Sequence, residues 1–225
     1  VVMLKAIKND TEIAASREAH RHAAAAKIRS FRGLEDKIGA GQTVSELDYS
    51  QSLHEEYASE DGFYDLSFTT IAGSGANGAI VHYGNPSPEK CLEPGEMLLV
   101  DSGIQCAGAT TDATRTLAVS SASDLQRRRY TRVLQAHIRL ARQVFPEGTT
   151  GAALDAITRS CLWNDGLDFG HGTGHGVGAF LGVHEGPQRI SPVSHDVSLQ
   201  EGMIVSNEPG FYETGWGGIR IENLC

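Results

Sequence analysis

A pair of helical segments followed by a region of short apolar runs occurs twice along this chain, in the same order. Residues 11–38 are rich in Ala, Arg, Lys and Glu and are stopped by Gly39 and Gly41, which predicts a helix. Thr43-Val44-Ser45-Glu46 reads as a capping box. It opens a second helix running to about residue 59, with Val44, Leu47, Leu53 and Tyr57 on one buried face. From residue 66 to 119, apolar runs such as 79–83 and 97–100 are separated by Gly, Pro and Asn, which predicts strands and hairpins. Residues 123–145 predict a third helix, with Leu125, Val133, Leu134, Ile138 and Phe145 as its apolar side, and residues 150–164 a fourth. From residue 169 the chain returns to glycine-rich strands, including 202–208 and 218–224. No letter-by-letter repeat accompanies this order. The repeated elements predict an α+β fold of two pseudo-symmetric halves. Strands joined by short turns predict a mostly antiparallel sheet.

A chain of 225 residues with 40% hydrophobic content can bury one sizeable core, as one domain or two packed halves. The formal net charge of -9 argues against nucleic acid as a partner, because phosphate contacts need Lys and Arg. No apolar run reaches membrane-spanning length and no signal-peptide pattern opens the chain, so no membrane partner is expected. Cys91, Cys106, Cys161 and Cys225 are far apart and form no C-x-x-C pair. Free thiols in a reducing compartment are expected, hence a cytoplasmic location. Val1-Val2-Met3-Leu4 reads as mid-strand or linker, and the final strand stops without a turn. Residues 1–225 are therefore expected to be part of a longer protein.

Three clusters carry chemistry. In the first, Val100-Asp101-Ser102-Gly103 ends an apolar strand, and Thr111-Asp112-Ala113-Thr114-Arg115-Thr116 follows. A buried carboxylate needs partners, and two aspartates on facing strands of a hairpin can converge on one point. Read alone, they serve equally well as turn formers. In the second, His171, His175 and His184 lie in a glycine-rich stretch, 170–187. Glycines permit close approach to a ligand, and imidazole is the commonest metal ligand and a ready proton shuttle. A phosphate loop fits poorly, since no Lys-Ser/Thr ending or G-x-G-x-x-G after a strand is present. In the third, Glu208 ends an apolar strand before Pro209-Gly210, and Glu222 alternates with Ile219 and Ile221. A core-facing Glu must be paired or hold a metal, and an Arg220–Glu222 structural pair is the alternative. Two Asp, one His and two Glu suit a pair of divalent ions, with manganese, cobalt, zinc or iron favoured by the hard oxygen donors and single imidazole.

These motifs, in this order, resemble the pita-bread metallopeptidases, and within them the X-prolyl aminopeptidases (aminopeptidase P). Asn77-Gly78-Ala79-Ile80-Val81-His82-Tyr83 resembles the family's substrate-site histidine strand. The two Asp segments, the run His171-Gly172-Thr173-Gly174-His175-Gly176-Val177-Gly178, His184-Glu185-Gly186-Pro187, Asn207-Glu208-Pro209-Gly210 and Gly218-Ile219-Arg220-Ile221-Glu222-Asn223 resemble its ligand-bearing segments. The resemblance covers nearly the whole chain. It implies the pita-bread fold, a curved sheet covered by helices with the site where the halves meet. It implies metal ligands Asp101, Asp112, His175, Glu208 and Glu222, with Arg220 orienting a carboxylate. Two divalent ions are implied, manganese first, with cobalt or zinc as alternatives.

The implied reaction is hydrolysis of the bond between an N-terminal residue and a following proline. The ions would supply hydroxide near neutral pH, Glu208 would handle the proton, and His184 or His171 would stabilise the oxyanion. His82 and His184 are the expected contacts to the proline. Family members usually carry one or two preceding N-terminal domains, which commonly shape the substrate entrance, and a homodimer of the full-length protein is implied. The rival readings are a prolidase acting on X-Pro dipeptides and a catalytically inactive binding module. The run 174–178 and the His-Glu-Gly-Pro ending resemble aminopeptidase P more closely, and an inactive module would lose the ligands.

Overall fold

Among the described residues, three helices carry both a side-chain cap and a buried stripe. A short helix α1 (Val2–Ala6) leads into α2 (Asp10–Gly39). Asn9 accepts from the Glu12 amide and the Glu12 carboxylate accepts from the Asn9 amide, which closes the first turn of α2. Ala19, Ala23 and Ala26 lie on one inward stripe, and their small side chains let α2 pack closely on α3 (Glu46–Ala58). The computed structural model describes residues 1–193 and 197–225.

The capping box of α3 is formed by Ser45 and Asp48, not by Thr43 and Glu46. Ser45 bridges to Cys91, and the Val44 carbonyl accepts from the Leu92 amide, so the chain stays extended up to the cap. Val44, Leu53 and Tyr57 are buried as expected, joined by Tyr49, while Leu47 is only partly covered. Glu46 is turned fully inside.

The first half continues with β1 (Phe63–Leu66), β2 (Ile71–Ser74), a 3-10 turn (Gly75–Ala79), β3 (Met97–Ser102), β4 (Ile104–Cys106), β5 (Ala109–Thr110) and β6 (Ala113–Ala118). Antiparallel ladders give the orders β2-β3-β6 and β1-β4-β5. On β3, Leu98 and Val100 enter the α2–α3 core, which leaves Asp101 on the opposite face. Pairing of Asp101 with Thr114 and of Ser102 with Ala113 sets Asp112 beside the end of β3. Residues 79–83 do not form the expected strand. They are the end of the 3-10 turn and a following tight turn, held by hydrogen bonds from Asn77 and Tyr83 to the distant Glu46.

The second half comprises α4 (Asp124–Ala141), α5 (Gly151–Trp163), β7 (Gly174–His175), β8 (Arg189–Ile190), β9 (Ser206–Asn207), β10 (Gly210–Glu213), β11 (Gly217–Arg220) and β12 (Asn223–Leu224). The α4 stripe differs from the expected one. Val133, Ala136 and Leu140 are buried, Leu134 is partly so, and Leu125, Ile138 and Phe145 are exposed, the last beyond the helix end. Residues 202–208 contribute only the two-residue β9, which pairs with β12, while β10 pairs with β11. The expected strand 218–224 is thus divided at Ile221 and Glu222 between two partners. Every named strand pair is antiparallel. Among the described residues no helix is long and apolar enough to cross a membrane.

The halves join at β6 and β11. The Thr116 hydroxyl donates to the Arg220 carbonyl and accepts from its amide, and the Glu222 amide donates to the Thr114 carbonyl. Close by, a Cβ built on Gly218 would overlap the carbonyl oxygen of Gly78. That oxygen is main chain and cannot rotate away. Gly218→Ala is therefore expected to cost about 1–3 kcal/mol, the range for overpacked sites. Urea unfolding measures it, and a loss inside the scatter of neutral surface changes would contradict this contact.

Candidate metal centre

Asp101, Asp112, His175, Glu208 and Glu222 all line one cavity of about 760 Å³. Asp101 and Asp112 come from the first half, and the other three from the second, so the cavity lies at the join. Phe68 and Val81 on one side and Phe169 and Val183 on the other give it apolar walls.

The residues around each donor fix its orientation. The Nδ1 of His175 lies 3.0 Å from the Gly176 carbonyl, which can only accept, so that nitrogen keeps its proton and Nε2 is the atom that can give one up and offer a lone pair to a cation. His175 Nε2 stands 3.5 Å from Asp112 and 3.3 Å from Glu208. Ser206 accepts from the His175 amide and donates to Glu208 over 3.0 Å, tying two donors together. Glu222 accepts from the Thr114 hydroxyl at 2.7 Å. Arg220 donates to Asp101 at 2.8 Å, to the Tyr212 hydroxyl at 2.8 Å and to Thr114 at 3.2 Å. The guanidinium is thus spent on Asp101 rather than on a structural pair with Glu222.

The cluster suits divalent ions. Single donor atoms of Asp112, His175 and Glu222 lie within 4.8 Å of one another. One oxygen of Asp101 and one of Asp112 are buried with no hydrogen-bond partner, an arrangement costly for a carboxylate unless a cation completes it. Electrostatics agree. Burial outweighs the His175 hydrogen bond and, with a smaller push from Asp101, raises Asp112 to about 6. Burial and the Asp112 and Asp101 charges raise Glu208 to about 7, against the pull of His175 and Arg220. Glu222 is held well above the carboxylate range by burial and by Asp112, Glu208 and Asp101. Burial works against the charge of His175, yet Asp112, Glu208 and the Gly176 carbonyl lift it to about 9. Asp101 is lowered because Arg220 and Lys27 overcome its burial. A dication relieves all this carboxylate repulsion at once.

The three other expected histidines also reach the cavity, in different circumstances. His171 has both ring nitrogens engaged. Nδ1 lies 2.7 Å from the Gly172 carbonyl, and Nε2 lies 2.8 Å from Tyr212, whose hydroxyl already accepts from Arg220 and so donates here. Burial drives His171 down to about 4, so it is neutral. His184 packs edge-on to His175 with ring centroids 4.2 Å apart. Its pKa is lowered by burial and by the neighbouring His175 and His82. His82 is exposed on its turn at the cavity wall.

Two residues beneath the site carry no local mark in the sequence. Tyr212 joins Arg220 to His171 and is pushed up to about 12 by burial. Its alternation with the buried Phe211 would have placed it on the Arg220 side of the hairpin, the one available hint. Lys27 is buried under the cluster and driven down to about 8 by burial. It donates to the main-chain carbonyls of Ser102 and Ala113, each next in sequence to an Asp of the site. A lone Lys in an Ala-rich helix gives no warning of this.

Known proteins resemble the chain over its whole span. Aminopeptidase P2 of Arabidopsis thaliana is 52% identical over 223 residues, covering 98% of this chain and 31% of its own length. The chain therefore spans about a third of that relative. The crystal structure of X-prolyl aminopeptidase from Caenorhabditis elegans, described as a cytosolic enzyme with a di-nuclear active site, superposes with a TM-score of 0.94 at 37% identity, over 98% of this chain and 36% of that one. Xaa-Pro dipeptidase from Bacillus anthracis matches with a TM-score of 0.87 at 35% identity, over 99% and 59%. The two α+β halves closing on a carboxylate-rich cavity are the pita-bread fold of these enzymes. Metallopeptidase family M24 matches residues 14–225, and this chain belongs to that family.

Proposed function

We propose that this chain is the catalytic region of an X-Pro aminopeptidase, which removes an N-terminal residue from peptides with proline in second position. The observation that carries the reading is the convergence of four carboxylates and one imidazole in an apolar-walled cavity, with buried oxygens of Asp101 and Asp112 left for a cation. Asp101, Asp112, His175, Glu208 and Glu222 would hold two divalent ions, which when bound supply an activated water near neutral pH and polarise the scissile carbonyl. Manganese is the metal we favour over cobalt or zinc, because four of the five donors are hard oxygens.

The chain's own groups supply the rest. Glu208 is the group we assign to accept and return the proton, because it lies among the donors and Ser206 orients its carboxylate. His184 is the better donor to a developing oxyanion, since the ring nitrogens of His171 are already committed. His171 with Tyr212 instead stiffens the wall. His82 and His184 flank the place where a proline ring, fixed in φ and without an amide hydrogen, would lie. We further propose a cytoplasmic location, in keeping with four free cysteines, and a homodimer of the longer protein.

The full-length protein, reconstituted with manganese, cobalt or zinc, tests this against X-Pro-Y, X-Ala-Y and X-Pro peptides. Cleavage of X-Pro-Y alone is expected. Turnover of the dipeptide alone would make it a prolidase, and metal uptake with no turnover of any peptide would make it a binding module.

A further inference from the structure

Glu46 was noted in the sequence as a capping residue, and the fold gives it another place. Its carboxylate is fully buried. Among the described residues it has no ion-pair partner, and every contact it makes is to a neutral donor. The Ser74 amide lies 2.6 Å away, the Asn77 side-chain amide 3.1 Å, the Tyr83 hydroxyl 2.7 Å and the Ser87 amide 3.1 Å. Asn77 also donates to Tyr83 at 3.0 Å. All four donors belong to the segment 74–87, and Asn77 and Tyr83 flank His82 on either side.

That segment is short of other support. Beyond Ser74, which ends β2 opposite Leu98, it is a 3-10 turn and a tight turn outside the ladders. On the cavity side it meets the second half where Gly78 touches Gly218, and where the Val81 carbonyl lies 3.5 Å from Arg220. On the core side it is held by the Glu46 carboxylate. A buried charge without a cation is tolerated only if hydrogen bonds satisfy it, so the turn and the carboxylate require each other. His82 extends from the middle of this clamp into the cavity.

We propose that Glu46 is a positioning residue for His82, setting from the core side where that imidazole meets the substrate. The proposal rests on the X-Pro aminopeptidase reading of the site. Glutamine keeps the shape of Glu46 but presents one accepting oxygen and an NH₂ group, which would face N–H donors that cannot reverse. The turn must then shift. A displacement of about 1 Å in a substrate-positioning group costs about a hundredfold in rate.

A double-mutant cycle on the full-length, metal-loaded enzyme tests it. Glu46→Gln, His82→Ala and the double variant are assayed on X-Pro-Y below their melting temperatures, with stability measured in parallel. Glu46→Gln is expected to lose about a hundredfold in kcat/KM alone, and less than about threefold more when His82 is already Ala. Its effect on stability should be the same in both backgrounds. Tyr83→Phe, which removes one donor and keeps the carboxylate, should show the same coupling at smaller size. If Glu46→Gln or Tyr83→Phe multiplies fully with His82→Ala, the residue is merely structural and the inference falls. Absence of X-Pro-Y cleavage by the parent enzyme would instead overturn the assignment of function.

Discussion

Glu222→Gln in the full-length protein is expected to abolish dinuclear metal binding and to lower kcat/KM by more than about a thousandfold, beyond the ten- to hundredfold typical of groups behind the ligands. Elemental analysis after reconstitution and steady-state kinetics read the two effects. The same change should have the opposite sign on the chelated protein. Glu222 is fully buried and held well above the carboxylate range by burial and by Asp112, Glu208 and Asp101. A group whose folded pKa is raised retains a proton that the unfolded chain releases above its ordinary value, so stability falls as pH rises through that window. Asp112, at about 6, and Glu208, at about 7, act in the same direction. His175, raised to about 9, contributes stability that is complete below its ordinary value of 6.5 and lost as pH rises through 9. Asp101, whose pKa is lowered, favours the folded state as pH rises through the acid range, and His171 and His184, also lowered, oppose the carboxylates up to the ordinary histidine value of 6.5, as Lys27, at about 8, does above that pH.

Between pH 6.5 and pH 8, where the histidine contributions are complete and Lys27 is still charged, the raised Glu208, Glu222 and His175 should dominate and chelated protein should lose stability. Protein loaded with manganese should not, because the ions take over the role of the protons. Gln at 222 cannot ionise, so the chelated variant should show a shallower decline and be at least as stable as the parent at neutral pH. Chemical unfolding at a series of pH values decides this. A chelated parent that gains stability from pH 6.5 to pH 8, or a variant that still binds two ions, would show that these carboxylates are not built around a metal.

The candidate metal ligands stand out in the sequence for a specific reason. Asp101 closes an apolar run and Glu222 shares a short segment with Ile219 and Ile221, so each puts a charge among apolar neighbours that mark the segment as buried, where a carboxylate needs a partner. Such violations are visible locally. Helix positions were legible for the same reason, since caps and stops are local chemistry. The strand expected at 79–83 was not a strand because the apolar run Ala79-Ile80-Val81 is overruled by Glu46, more than thirty residues earlier. Residues 202–208 read as one strand, but β9 pairs for only two residues before Glu208 turns into the cavity. The stripe of α4 differs from the expected one because Leu125 and Ile138 are apolar yet out of phase with the face that meets α5, and Phe145 lies past the helix end. Lys27 acts on main-chain carbonyls brought to it only by the tertiary fold, and for Tyr212 the alternation with Phe211 marks a face but not the His171 it meets there.

Arg220→Met should destabilise the protein by about 3–5 kcal/mol, the cost of breaking a buried pair by removing one partner. Arg220 is 2% exposed, and its guanidinium is the direct counter-charge of Asp101. Methionine fills much of the volume but leaves the Asp101 carboxylate with Lys27 as its remaining nearby cation, one that donates to main-chain carbonyls instead. Tyr212 loses the donor that fixes its hydroxyl toward His171, so the loss spreads to the cavity wall. Lysine should rescue little. Its single ammonium cannot span Asp101, Tyr212 and Thr114 as the planar guanidinium does. Two second changes separate charge from packing. Asp101→Asn in the Arg220→Met background should recover part of the stability, because the uncompensated charge is gone. Excess manganese should also recover part of it in Arg220→Met alone, because a dication beside Asp101 replaces the lost counter-charge. If Asp101→Asn instead adds its full cost to that of Arg220→Met, the two residues are not a pair in energy. The guanidinium would then serve only to fill space between the halves.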